Sequence, residues 1–346
     1  MKMIHRGNNI IQISLFELYL WNMIELFIFF LVAFLYIQIV LQYKSNEDLD
    51  VYEIDYIDNI NLQETCNLMQ PFLFYSDYIL PVLGKPLKDT TIVLYEKSAT
   101  NPGSISHPFQ ISLNIVHDLF ETAIETQQKY YSNTHLTPTA ENEEWFMDLQ
   151  IMDTFLKPPL TIQTDRSLLM GTVGCTTPFK YHRNSRKFLV VQSGQILLKM
   201  APWKSNKKYL HEIHDYQNGE IRSMIDVWDP LPQYRRSWEK VQFVEISAKC
   251  GQVVYIPSYW GFSIKYQEPS TILYDFTYST AANRLAFLGE IALIWLQQGN
   301  VTYKKWPSIG ATKEPHNEVS KDLSESVLSI QEQDTDPDHQ EDKSNI

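Results

Sequence analysis

Between residues 160 and 276 the chain breaks into eight short apolar or alternating runs: 160–162, 168–172, 188–191, 196–200, 241–246, 253–256, 262–266 and 272–276. Gly, Pro, Asn and Ser punctuate the intervals. Runs this short suit strands rather than helices, and so many in succession imply an all-β sandwich or barrel. The interval 203–240, rich in Tyr, Trp and Pro, interrupts the series and reads as a long loop.

The segments on either side supply scaffold. Upstream lie a short strand near Tyr52, a helix begun at Asn61, extended chain after Pro71, and a strand at 91–94. A helix over 111–129 keeps Ile115, Leu119 and Ile124 at helical spacing, with Asn133 and Thr134 ending it. Downstream, 283–298 reads as one helix capped by Gly299, packed on the barrel or forming a homodimer seam.

A second constraint lies near the N-terminus, where residues 26–43 form 18 consecutive positions without a charge, extended upstream past a single Glu25. That length crosses a bilayer core as a helix, so a single transmembrane helix is expected over 15–43 after an N-terminal segment 1–14. Trp21, Tyr36 and Tyr43 suit the interfaces, and Lys44 closes the run. A signal peptide would carry a shorter apolar core and a small-residue cleavage site. Lys2 and Arg6 precede the run whereas Lys44 alone closely follows it, which weakly favours a cytoplasmic N-terminus in a single-pass membrane protein. The sequon Asn300-Val301-Thr302, a glycosylation candidate at Asn300, would suit the far side; the three cysteines, with no Cys-x-x-Cys spacing, suit a reducing compartment instead.

Residues 44–51 then form an acidic linker, 52–307 a folded domain and 308–346 an acidic tail expected to be disordered. The formal charge is −12, but residues 313–346 hold ten Asp/Glu against three Lys, a net of −7, which leaves −5 for everything before them. Neither that balance nor the short basic run at 204–208 points to nucleic acid. The densest cluster of potential ligands, His211-Glu212-Ile213-His214-Asp215, spaces its histidines three apart in an expected loop, whereas the helical zinc motif needs four.

Two stretches carry the functional information: TTPFKYHRNSRKFLVVQSG at 176–194 and GQVVYIPSYWGFSIKY at 251–266. The first is a His-containing strand entry followed by a strand and a Ser193-Gly194 hairpin turn; the second is a strand ending at a proline and an aromatic pair. With the upstream PPLTIQTDRSLLMGTVGC and the helix after the last strand, they resemble the cupin-like branch of the JmjC-domain superfamily over roughly residues 52–298. The resemblance implies a mainly β domain, a double-stranded β-helix (jelly roll) with flanking helices. It also implies Fe(II) held by a His-x-Asp/Glu dipeptide and a distal His, with 2-oxoglutarate as cosubstrate.

The chain departs from that pattern at each ligand. In one register Lys180 replaces the first His and His182 the carboxylate; in another, shifted by two, His182 keeps the imidazole and Asn184 replaces the acid. Phe262 stands where the distal His is expected. The cosubstrate-pairing Lys is missing after the hairpin turn, where Gln195 and Ile196 follow Gly194 and Lys199 lies further along. The expectation is therefore a non-catalytic, membrane-anchored binding or structural module without metal or cofactor. The alternative is an Fe(II)/2-oxoglutarate-dependent hydroxylase with an atypical site on His182. Thr177, Tyr181, Tyr259 and Trp260 are the further candidates to line a pocket for a small ligand or protein partner.

Overall fold

The computed structural model describes residues 4–76, 80–83, 87, 90–97, 108–139, 142–215, 219–298 and 308–309. Asn300, the glycosylation candidate, lies outside the described residues, as does the acidic tail after Ile309. The first two residues assigned to that tail, Ser308–Ile309, form a strand beside Phe109–Ser112.

Helix α1 (Ile4–Gln42) starts well before the expected membrane span, and its stretch Trp21–Gln42 is long and apolar enough to cross a membrane. None of that window is buried against the rest of the chain. An all-round apolar helix with no protein over it has no reason to stay in water.

Eight strands form the centre of the fold: β1 (Thr161–Gly171), β2 (Lys180–Tyr181), β3 (Arg186–Ser193), β4 (Gln195–Pro202), β5 (Val244–Lys249), β6 (Gln252–Ile256), β7 (Trp260–Tyr266) and β8 (Thr271–Thr280). They divide between two sheets, in the order β6-β3-β8-β1 in the larger and β2-β7-β4-β5 in the smaller, with all pairs antiparallel. The larger sheet continues beyond β1 into Tyr130–Ser132 and Thr91–Glu96, and beyond β6 into Phe72–Tyr75.

Alternation along the strands then produces three packed layers. Leu189 and Val191 of β3, Val254 and Ile256 of β6, and Leu273 of β8 point inward. They meet Ile196, Leu198 and Met200 of β4 and Trp260, Phe262, Ile264 and Tyr266 of β7. The next residues along, Phe188, Val190, Val253, Tyr255 and Phe276, face the opposite way onto Phe72, Phe74, Trp145 and Leu149. On the far side of the smaller sheet, Phe179, Tyr181 and Ala201 pack under Trp203, Leu210 and Val227. Each such aliphatic or aromatic side chain stabilises the fold by about 1.5–3 kcal/mol when fully buried.

Two glycines are needed where they stand. Gly194 turns the β3–β4 hairpin at φ +78°, which L side chains rarely adopt. Gly261 sits under Phe179, whose Cε1 would lie 2.2 Å from any added Cβ. Gly261→Ala is expected to lower stability by about 1–3 kcal/mol through overpacking, seen as a lower midpoint in denaturant unfolding.

The interval 203–240 is structured rather than a plain loop: a helix at Trp203–Leu210, a hairpin of Glu212–Asp215 with Glu220–Ser223, and a short helix at Arg235–Trp238. The hairpin extends the smaller sheet by pairing with β2. The terminal helix is broken at Phe287 into α2 (Ala281–Ala286) and α3 (Leu288–Gln298).

Candidate functional site

Strand β2 is only two residues long, yet its alternation decides the site. Tyr181 turns outward and stacks on Trp203, ring centroids 4.3 Å apart. Lys180 therefore turns inward, where it lies in register opposite Phe262 of β7. Its ammonium pairs with Glu220, from the hairpin that extends the sheet. Phe262, at 2 % exposure, fills the space between the two sheets beside it.

A second ion pair lies deeper. Lys187 of β3 occupies an inward position that Leu189 and Val191 continue, and it pairs with Asp275 of β8. It also donates to Thr277 Oγ1 at 2.9 Å and stands 5.6 Å from the Phe262 ring centroid. Burial pulls the Lys187 ammonium below its usual pKa despite the adjacent carboxylate.

His182 lies just past the end of β2. Its Nε2 meets the Ile256 carbonyl at 3.0 Å, and the Tyr259 amide donates to the His182 carbonyl at 3.1 Å. The residue as a whole is half-buried, but its Nδ1 is enclosed and makes no hydrogen bond. Burial, aided by the charge on Lys187, pushes the imidazole down to about 3, so it is neutral at physiological pH. Asn184 ties strands together: its Oδ1 accepts from Ser279 Oγ at 3.1 Å and its carbonyl from Ser258 Oγ at 2.6 Å.

These residues edge an open cleft of about 300 Å³ between one end of the two sheets and helices α2 and α3. Its wall carries four cationic side chains, Lys180, Arg183, Lys187 and Arg284, against the carboxylates of Glu220 and Glu290. Arg183 pairs with Glu290 and stacks near Tyr181 and Phe287.

The expected site residues thus separate. Lys180, Tyr181, His182, Asn184 and Phe262 gather at this cleft. Thr177 does not line the cleft but two smaller cavities beside Tyr131, one of which shares Lys180, Phe262 and Glu220 with it, and its hydroxyl accepts from the Ile264 amide at 2.9 Å. Neither Tyr259 nor Trp260 lines the cleft: Tyr259 packs among the outer aromatics, and Trp260 is enclosed in the barrel. The Trp260 indole donates to the Asn46 carbonyl at 3.0 Å, which ties the linker to the barrel. Lys199 points out of the barrel, 4.5 Å from the Trp228 ring centroid. His214, of the His/Glu/Asp cluster, lies on the sheet extension with its Nε2 2.7 Å from Glu212 Oε1. Among the described residues, no group of three or more His, Cys, Asp or Glu is placed to hold a metal ion.

Sequence reasoning missed Lys187, Asp275, Glu220 and Arg183. The signal for the first was available: Lys187 has the same parity as inward Leu189 and Val191, so a strand there carries a charge into the core. Glu220 gave no such signal, because the interval that holds it read as a loop.

No family model and no curated protein matches this chain.

Proposed function

We propose that this chain is a membrane-anchored, cupin-like (JmjC-like) module that works without iron and binds or scaffolds rather than oxidises. The observation that carries this is the register of Lys180 against Phe262. On a double-stranded β-helix these are the places of the first and the distal histidine, and here an ammonium closed onto Glu220 faces a phenyl ring. The strand orders β6-β3-β8-β1 and β2-β7-β4-β5 support that fold.

The residues present do not fit Fe(II). An ammonium repels the ion, a phenyl ring offers no lone pair, and an amide or imidazole alone gives too few ligands. His182 is committed to the Ile256 carbonyl and Asn184 to Ser279, so both are held by structural bonds. The cleft outside Phe262 remains open and polar, which favours binding of a small ligand without metal. Helix α1 supports single-pass anchoring, with the N-terminus cytoplasmic on the basis of Lys2 and Arg6.

The test is metal analysis of the purified chain followed by calorimetric titration with 2-oxoglutarate in the presence of Fe(II). The expected result is substoichiometric iron and no heat of binding at micromolar cosubstrate. Stoichiometric iron with micromolar 2-oxoglutarate binding would establish an oxygenase built on His182 instead.

A further inference from the structure

Helix α3 exposes Leu288, Leu293, Trp295 and Leu296, with Trp295 at 73 %. At 3.6 residues per turn these side chains share one continuous face with Gly289 and Ala292. The opposite side carries Ile291 and Ile294, which line the cleft, and Glu290, which pairs with Arg183. The arrangement is the reverse of an ordinary surface helix, whose apolar stripe faces the core and whose charges face water. An outward face this apolar needs a cover.

Its neighbour says what the cover is. Tyr43, at the end of the charge-free run of α1, sets its ring 5.2 Å from Phe287 and donates its hydroxyl to the Ala286 carbonyl at 3.0 Å. Lys204 donates to the Tyr43 carbonyl. Phe287 is the residue immediately before α3. The helix therefore begins at the level where α1 would leave the bilayer. At 11 residues it is about 16 Å long, too short to span a hydrocarbon core of about 30 Å. A short helix with an apolar face, attached at that depth, fits the boundary between headgroups and acyl chains.

We propose that α3 lies flat in the membrane interface, its Leu288–Leu293–Trp295–Leu296 face sunk among the lipids. The proposal rests on α1 spanning the same membrane. It makes the domain a two-point membrane protein, with the cleft opening beside the lipid surface.

The test uses the full chain in vesicles of phosphatidylcholine and phosphatidylglycerol. Cys250→Ser removes the exposed thiol, and Cys66 and Cys175 are buried. A nitroxide is placed singly at Leu296→Cys, at Val32→Cys in α1, and at the exposed Glu239→Cys. Collision with oxygen is then compared with collision with a water-soluble nickel chelate. The label at 296 is expected to favour oxygen, at about 5–10 Å below the headgroups, and the label at 239 to favour the chelate. An aqueous signal at 296 with a lipid signal at 32 overturns the proposal and leaves the anchor intact. An aqueous signal at 32 overturns the anchor itself and the proposal with it. A label at 296 shielded from both reagents means protein covers the face, and that also overturns it.

Discussion

Asp275→Ala is expected to destabilise the chain by about 3–5 kcal/mol, among the largest losses from any single substitution in the barrel. Asp275 and Lys187 are both nearly enclosed, with side-chain exposures of 10 % and 8 %. Removing the carboxylate leaves the ammonium with Thr277 Oγ1, the flank of the Phe262 ring and a more distant Glu220 that is already paired with Lys180. None of these replaces a counter-charge in contact, and the cost is that of a poorly compensated cation in the core. The effect should appear as a lower midpoint in urea unfolding followed by tryptophan fluorescence in detergent, with the slope of the transition unchanged. The double replacement Lys187→Met with Asp275→Leu is expected to recover most of the loss, because it removes both charges and fills the same space. A neutral result for Asp275→Ala would mean that the pair is open in solution.

A steep acid lability is expected to trace to His182. The imidazole is held near a pKa of about 3 in the fold, against 6.5 for an ordinary histidine. Between those values the unfolded chain binds a proton that the folded chain refuses, so acid favours unfolding. The stability that follows from a neutral His182 is fully present above 6.5 and is lost as pH falls toward about 3. The slope is at most about 1.4 kcal/mol per pH unit for this one group. Carboxylates elsewhere add slopes of their own, so the informative quantity is a difference. Unfolding midpoints of the parent and of His182→Gln, measured across this range, should converge as pH falls. Parallel profiles would show that His182 titrates normally and that its ring is not enclosed.

Much of the fold was legible because β-structure writes a local pattern. The runs at 188–191, 196–200 and 253–256 fall within β3, β4 and β6, since inward and outward positions there are both apolar or cleanly alternating. The runs at 160–162 and 168–172 turned out to be one strand, β1, whose polar middle breaks the apolar pattern: Gln163 and Asp165 bond to each other along the strand, and Arg166 pairs with Asp153. The helix expected over 111–129 spans Leu113–Thr126: Phe109–Ser112 before it is a strand, and at Gln127 the backbone turns left-handed so that Tyr130–Ser132 can join the sheet. The terminal helix breaks at Phe287, which is drawn inward against Tyr259 and Tyr43, a packing event no local spacing announces.

The candidate site was half legible. Lys180 and Phe262 could be singled out in the sequence, but not that the two residues face one another. Their pairing follows from the cross-strand register, which depends on where a two-residue strand meets β7. The partners Glu220 and Asp275 lie 40 and 88 residues from the lysines they neutralise. Charge pairs over such separations have no sequence signature.

The hydrogen bond from Trp260 to the Asn46 carbonyl governs how far the domain can reach. Eight flexible linker residues at 44–51 would let a tethered barrel wander by about 16 Å, sampling a hemisphere above its anchor. Here Asn46 is clasped by the barrel, Gln70 holds Asp48, and Leu49 and Val51 are packed against the core. The tether has no slack, so under the anchoring proposed above the cleft would keep one height and one tilt over the bilayer. It would then meet only molecules that diffuse in the plane of the membrane or arrive from the water directly above.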